Sequence, residues 1–278
     1  MSGTLYLVPT PIGNLGDISR RMAETLEAVD FIAAEDTRVS LKLLNHLGIK
    51  KPMVSYHEHN KAEAGPRLVA RLQSGESCAL VTDAGTPAIS DPGEDLVRLC
   101  AQAGVPVCPI PGPSAVITAL SAAALPTGRF CFEGFLPQEK RERTRRLGSL
   151  TRETRTMVFY EAPHRRRQTL EELLAAFGPD RPISLCRELT KLHEEMDRTT
   201  LGQAAARYGR EDPRGEFVLV VAGCPALREE TTLEEALALV RELTARGMTR
   251  KDALKQAAKD TGFPKNQLYD AVMREELP

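Results

Sequence analysis

Short apolar runs at residues 5–8, 31–34, 78–81 and 105–108 punctuate the first part of the chain, and amphipathic stretches lie between them. Four-residue runs of this kind read as buried strands. Strands alternating with helices imply βαβ units and a mainly parallel sheet. One helix opens at Asp17-Ile18-Ser19 and runs to about residue 28, with Met22, Leu26 and Val29 at helical spacing. Another opens at Asp91-Pro92-Gly93-Glu94, where Leu96, Val97, Leu99 and Cys100 form its inward face. From Pro111 to about residue 124 the chain carries very small side chains, which suits a helix at a seam between two domains. Apolar runs resume at 130–135, 156–160, 183–186 and 217–221, giving a second α/β layer.

After Pro225 the strand pattern stops. Three short helices are predicted, at 233–246 behind a Thr232-x-x-Glu235 capping box, at 250–261 behind Thr249, and at 265–274 after Phe263-Pro264, with Gly247 and Gly262 as stops. The expected organisation is therefore α/β: an N-terminal α/β domain at 1–113, a second at 114–225, and a helix-turn-helix-like tail at 226–278.

Composition narrows the function classes. With 278 residues, 42% of them hydrophobic, the chain has material for more than one core. A formal net charge of -1 argues against a polycation that coats nucleic acid, so any RNA contact must come from local patches. The strongest such run is Lys140-Arg141-Glu142-Arg143-Thr144-Arg145-Arg146. No apolar run approaches the roughly 20 residues that span a bilayer. Met1-Ser2-Gly3-Thr4 leads into the first strand without a basic, signal-like stretch, so a cytoplasmic protein with no membrane partner is expected. The six cysteines are scattered singly, without a CxxC pair, and read as reduced thiols.

Two loops carry the clearest chemistry. Thr82-Asp83-Ala84-Gly85-Thr86-Pro87-Ala88 and Ile110-Pro111-Gly112-Pro113-Ser114-Ala115 each follow a strand-like run. Small residues and prolines there let a stiff backbone approach a ligand, and in open α/β sheets ligands sit outside the carboxyl ends of the strands. Neither GxxxxGK[ST] nor GxGxxG occurs, and Asp83 would repel a phosphate. A cofactor with hydroxyls or a positive centre suits the loop better. His57-Glu58-His59 lacks a third partner at a metal spacing, so no metal is expected. No serine elbow or base-paired cysteine supports covalent catalysis. Glu35, Asp36 and Arg38 follow the second strand; they either serve the same crevice or start a helix, with Asp36 or Thr37 as cap and Glu35 paired to Arg38.

Taken in order, Pro9-Thr10-Pro11-Ile12-Gly13-Asn14-Leu15, Ala34-Glu35-Asp36-Thr37-Arg38, Thr82-Asp83-Ala84-Gly85-Thr86-Pro87, Pro111-Gly112-Pro113-Ser114-Ala115 and Tyr160-Glu161-Ala162-Pro163-His164-Arg165 resemble one family across nearly the whole chain. It is the small-subunit ribosomal RNA ribose 2'-O-methyltransferase family of the tetrapyrrole-methylase superfamily. The resemblance implies a homodimeric S-adenosylmethionine enzyme that methylates a cytidine ribose in the decoding region of 16S ribosomal RNA, with the cofactor between two α/β domains. It implies that Asp83, Gly85, Thr86 and Pro87 line the cofactor from the first domain, Ser114, Ala115 and Tyr160 from the seam and second domain, and Pro9, Pro11 and Gly13 from the cleft floor.

Methyl transfer to a hydroxyl needs alignment and a route for the proton, for which Glu35 and Asp36 are candidates, with Arg38 holding a phosphate or neutralising them. RNA contact is expected from Lys140, Arg141, Arg143, Arg145 and Arg146, from Arg165 and its neighbours, and from Arg250 and Lys251 in the tail. The tail could equally serve as a dimer-stabilising or capping bundle. Two other functions remain open: a methylase of a small molecule such as a tetrapyrrole, and a non-catalytic nucleotide-binding module.

Overall fold

The computed structural model describes residues 2–209, 215–225 and 232–275. These fall into two compact units, residues 1–224 and 225–278. The first unit holds two five-stranded sheets.

The first sheet is built from β1 (Leu5–Leu7), β2 (Phe31–Ala34), β3 (Met53–Ser55), β4 (Cys78–Val81) and β5 (Val107–Pro109), in the order β3-β2-β4-β1-β5. All of its pairings are parallel. Parallel strands need crossovers, supplied by α1 (Arg20–Ala28), α2 (Thr37–Leu47), α3 (Lys61–Gln73) and α4 (Gly93–Gln102). Every residue of β2 and β4 is buried, as expected of a sheet covered on both faces. Alternation divides the strands between two cores: Phe31, Ala33, Cys78 and Leu80 face one side, Ile32, Ala34, Ala79 and Val81 the other. Ser19 caps α1 through Met22 N–H, as its position before the first helical turn predicts.

After α5 (Ala115–Ala122) come β6 (Phe130–Phe135), α6 (Lys140–Leu150), β7 (Thr156–Glu161), α7 (Arg166–Phe177), β8 (Pro182–Arg187), β9 (Glu195–Thr200), α8 (Leu201–Tyr208) and β10 (Phe217–Val221). The sheet runs β6-β7-β10-β8-β9. Only β6 and β7 are parallel; the three remaining pairings are antiparallel, so this layer is mixed. One face packs on α6, α7 and α8 through Leu147, Leu170, Leu173 and Leu201. The other meets α5 through Val116, Ala119 and Leu120, and Ile12 from the loop after β1 joins the same core. Ile12 thereby ties the two layers together at the cleft.

Two strands departed from the sequence expectation by existing at all. β3 is a three-residue edge strand, and β9 (Glu-Met-Asp-Arg-Thr-Thr) is an edge strand with little apolar character. β5 begins two residues later than predicted, beyond Pro106, whose ring nitrogen has no proton for a ladder. The second unit contains α9 (Leu233–Ala245), α10 (Arg250–Thr261) and α11 (Lys265–Glu275), packed around Leu237, Val240, Leu254 and Leu268. Its capping box forms: Thr232 N–H donates to Glu235 and Glu235 N–H to Thr232 Oγ1. No helix among the described residues is long and apolar enough to cross a membrane.

Candidate active site

The loops after β1, β2, β4 and β5 leave the same edge of the first sheet, and hydrogen bonds knit them into one surface. Thr10 and Gly85 exchange backbone bonds of 2.9 and 3.0 Å, joining the β1 and β4 loops. Gly85 has φ +87°, and a Cβ there would stand 3.3 Å from Ile12 Cγ2, so glycine suits the position twice over. Thr86 Oγ1 donates to Pro113 O at 2.8 Å, fixing the β4 loop to the β5 loop. Gly112 lets the latter approach Pro9; an added Cβ would lie 2.8 Å from Pro9 Cβ.

These loops form one wall of a cavity of about 390 Å³, whose other wall comes from the second sheet. Asp83, Gly85, Thr86, Ser114, Ala115 and Tyr160 all line it. Pro11 and Pro87 do not; they stand in the same loops behind the lining. Tyr160 packs edge-on against Phe132 at 4.9 Å between ring centres, and burial pushes its hydroxyl pKa up although Val116 N–H donates to it.

Acidic groups dominate the polar lining. Glu35 accepts from Thr82 Oγ1 at 2.8 Å and faces the cavity. Asp83 Oδ1 accepts from Asp36 N–H at 3.1 Å; burial, then the nearby Glu35 charge, holds its carboxyl above the usual range. Asp91 is likewise raised by burial. Its Oδ1 accepts from Ala88 N–H at 3.0 Å and Gly93 N–H at 2.7 Å, while its buried Oδ2 has no hydrogen-bond partner among the described residues. This clamp holds Ala88 and Ser90 at φ +67° and +65°, left-handed conformations that cost non-glycine residues roughly 1–2 kcal/mol each.

Asp36 and Arg38 are not in the lining, where Glu35 stands, and they pair with each other beside it. Asp36 caps α2 by accepting from Arg38 N–H at 2.8 Å, and the Arg38 guanidinium binds the same carboxylate at 2.6 Å. Hydrogen bonding to Arg38 drives the Asp36 pKa down to about 2, a poor value for accepting a proton. The helix-start reading holds for Asp36, but Arg38 pairs with Asp36 and not with Glu35.

Sequence reading placed Tyr160 on the second wall but gave no role to the charged groups there. Glu161, 3% exposed, accepts from Ala162 N–H and from Thr169 Oγ1, and it lines the cavity with Leu189, Lys191 and Glu216. Lys191 belongs to no glycine- or proline-rich loop, the signal that found the first wall.

The basic candidates divide by burial. Lys140, Arg141 and Arg145 are exposed on α6. Arg143 is only 5% exposed and donates to Glu172 at 2.9 Å and to the carbonyls of Pro137 and Gln138. Its role is structural, contrary to the RNA contact expected of it. Arg146 lies 2.5 Å from the buried Glu133 carboxylate, and Arg165 turns inward to donate to Leu136 O at 3.0 Å. Arg146 stays exposed beside that ion pair, whereas Arg165 is half-buried. On α10, Lys251 is exposed and Arg250 reaches Met273 Sδ at 3.6 Å.

Residues 4–205 match the model of the tetrapyrrole (corrin/porphyrin) methylases, and 230–276 match that of the RsmI C-terminal HTH domain. The chain is 48% identical over 279 residues to the ribosomal RNA small subunit methyltransferase I of a Synechocystis species, covering 99% of each chain. The chain belongs to the ribosomal RNA small subunit methyltransferase I family. The Escherichia coli O157:H7 member is 46% identical, with 99% of this chain and 96% of that relative covered. Among solved structures, a uroporphyrin-III C-methyl transferase from Thermus thermophilus, complexed with S-adenyl homocysteine, superposes with a TM-score of 0.56 at 18% identity, covering 78% of this chain and 97% of that one. At that identity the likeness establishes the tetrapyrrole-methylase fold alone. The family match accounts for the five ordered motifs, and the match at 230–276 covers α9, α10 and α11.

Proposed function

We propose that this chain transfers a methyl group from S-adenosylmethionine to the ribose 2'-oxygen of a cytidine in the decoding region of 16S ribosomal RNA. The observation that carries the reading is identity of 44–48% to proteins named ribosomal RNA small subunit methyltransferase I, at 97–99% coverage of this chain. The cleft where strand ends of both layers meet supplies the site.

The residues fit the cofactor. A cavity of about 390 Å³ lies in the range of sites for small molecules of this size. The left-handed Gly85 permits close backbone approach, and the unpartnered Asp91 Oδ2 offers an acceptor. Asp83, Gly85, Thr86 and Pro87 would hold the cofactor from the first layer, with Pro11 supporting that wall, and Ser114, Ala115 and Tyr160 from the second. When bound, it supplies an electrophilic methyl group on a sulfonium. Carboxylates around the cleft favour a positive centre, and Ile12, Leu189 and Phe217 exclude water from it. Glu35 takes the proton from the acceptor hydroxyl, oriented for that task by the Thr82 hydroxyl.

Outside the cleft, Lys140, Arg141 and Arg145 on α6 and Arg250 and Lys251 on α10 meet RNA phosphates, giving affinity without sequence information. Such a substrate puts the enzyme in the cytoplasm. It works there as a homodimer, and exposed Leu41 and Ile117 offer apolar surface for the assembly to bury.

A tetrapyrrole acceptor is disfavoured by charge. Among the described residues, Glu35, Asp83, Asp91, Glu161 and Glu216 face the cavity against Lys191 as its one cation, so a ring carrying carboxylates around its whole rim would meet like charges inside the cavity, whereas RNA need bring only one ribose and its flanking phosphate to the mouth. Retention on small ribosomal subunits in a sedimentation assay, with no absorbance change on adding porphyrinoids, is the expected outcome. The reverse pair of results would favour the small-molecule methylase, and failure to bind S-adenosylmethionine would favour a non-catalytic module.

A further inference from the structure

Lys191 stands in the loop between β8 and β9, and the backbone there is under strain on both sides of it. Glu188 has φ +49° and Thr190 φ +64°; for a β-branched residue the left-handed region is a genuine outlier. Such strain persists only where the surroundings over-determine it. Here Leu189 is anchored in the core at 6% exposure, and Glu188 packs onto Gly215, where a Cβ would stand 2.5 Å from Glu188 Cγ. Thr190 N–H donates to Glu194 at 2.5 Å. The loop is therefore built, and its product is the position of Lys191.

The Lys191 stem crosses from the second layer to the loop after β1. A Cβ on Gly13, whose φ is +144°, would lie 2.5 Å from Lys191 Cγ, so a side chain at 13 would displace it. The ammonium donates to Glu188 Oε1 at 2.9 Å and Glu216 Oε2 at 3.1 Å. Burial alone would depress the lysine pKa; the hydrogen bonds to these two carboxylates outweigh it and hold the pKa above its ordinary value. A lysine so held remains charged, which suits it to binding an anion and unsuits it to acting as a base.

An ammonium has three protons, and two serve Glu188 and Glu216. We infer that the third receives a backbone phosphate of the acceptor RNA at the mouth of the cleft, so that Lys191 positions the target ribose. This rests on the RNA reading above. Three observations select the phosphate. Among the described residues, Lys191 is the cation in a lining of carboxylates, and a polyanion entering that cleft requires one. The neighbouring side chains open outward, Glu216 at 79% and Leu192 at 93% exposure, so a macromolecule can reach the ammonium. The glycine- and proline-rich loops that suit the cofactor lie on the opposite wall.

The test compares Lys191→Gln and Lys191→Arg with the unaltered protein, using undermethylated small ribosomal subunits and S-adenosylmethionine at several salt concentrations. Lys191→Gln should raise the KM for subunits about ten-fold and flatten the plot of log kcat/KM against log salt by about one. Lys191→Arg should keep the original slope. S-adenosylmethionine affinity, read by calorimetry, should stay within about two-fold. An unchanged salt slope in Lys191→Gln overturns the inference, as does a matching loss of cofactor affinity, which would assign the ammonium to the cofactor carboxylate. Absence of methylation by the unaltered protein would instead strike the RNA reading itself.

Discussion

Thr82, at the carboxyl end of β4, donates its hydroxyl proton to Glu35, at the carboxyl end of β2, at 2.8 Å. Adjacent parallel strands bring the two residues together across 47 positions of sequence, and Thr10 Oγ1 holds the Thr82 carbonyl at 3.0 Å. Glu35 is thus a cavity carboxylate oriented by a side-chain hydroxyl, with no ion pair to a cation among the described residues. Glu35→Gln keeps the size and an acceptor oxygen for Thr82 but removes the basic group. Single-turnover methylation should slow by roughly 10²–10⁴-fold, the contribution typical of a general base, while cofactor affinity changes little. An unimpaired rate would remove Glu35 from the mechanism.

Asp83 links cofactor affinity to pH. Its folded-state pKa is raised, by burial and then by Glu35, so the charged form that faces a sulfonium is lost at a higher pH than the 3.8 of an ordinary aspartate. Affinity should therefore be full well above the raised pKa and fall through a midpoint above 3.8 on acidification. Stability has the opposite sign: a raised acid contributes stability below its unfolded pKa and loses it as pH rises through the folded value. At neutral pH, Asp83→Asn should raise the melting temperature of the cofactor-free protein. Asp83→Ala should weaken cofactor binding by about 1–3 kcal/mol, the cost of losing a charged hydrogen-bond acceptor that the bound cofactor covers. Calorimetry and thermal melts across pH check both signs.

Buried and exposed cations of the same helix, α6, should behave oppositely. Arg143 is buried against Glu172, and removing one partner of such a pair strands the other, so Arg143→Ala should destabilise the fold by about 2–4 kcal/mol. Replacing exposed Lys140, Arg141 and Arg145 by Gln should leave the melting temperature nearly unchanged and flatten the salt dependence of subunit binding by about 2–3. Parallel melts and binding isotherms separate the two roles.

The contrast on α6 illustrates what sequence conveys and what it conceals. The charge run was legible, yet which arginine faces inward depends on where Glu172 of α7 arrives. The strands with buried apolar runs, such as β2 and β4, were readable because burial on both faces demands unbroken hydrophobicity. The edge strands β3 and β9 were not, since an edge needs little apolar side chain and β9 is mostly polar. In the cleft, loops rich in glycine and proline revealed the first wall. Lys191 stayed hidden because left-handed Glu188 and Thr190 are imposed by packing, against their own preferences.

The tail gives a separate prediction. Residues 1–224 form a compact unit of their own, so a chain ending at Cys224 should keep cofactor affinity while its retention on small subunits weakens. Full methylation of subunits at limiting truncated enzyme would reduce α9, α10 and α11 to a structural bundle.

The central claim is tested most directly by locating the transferred methyl group. Purified protein would be incubated with radiolabelled S-adenosylmethionine and undermethylated small ribosomal subunits, and the RNA digested and mapped by mass spectrometry. The account predicts label on the 2'-oxygen of one cytidine ribose in the decoding region. Label on a base, or none despite tight cofactor binding, would contradict it.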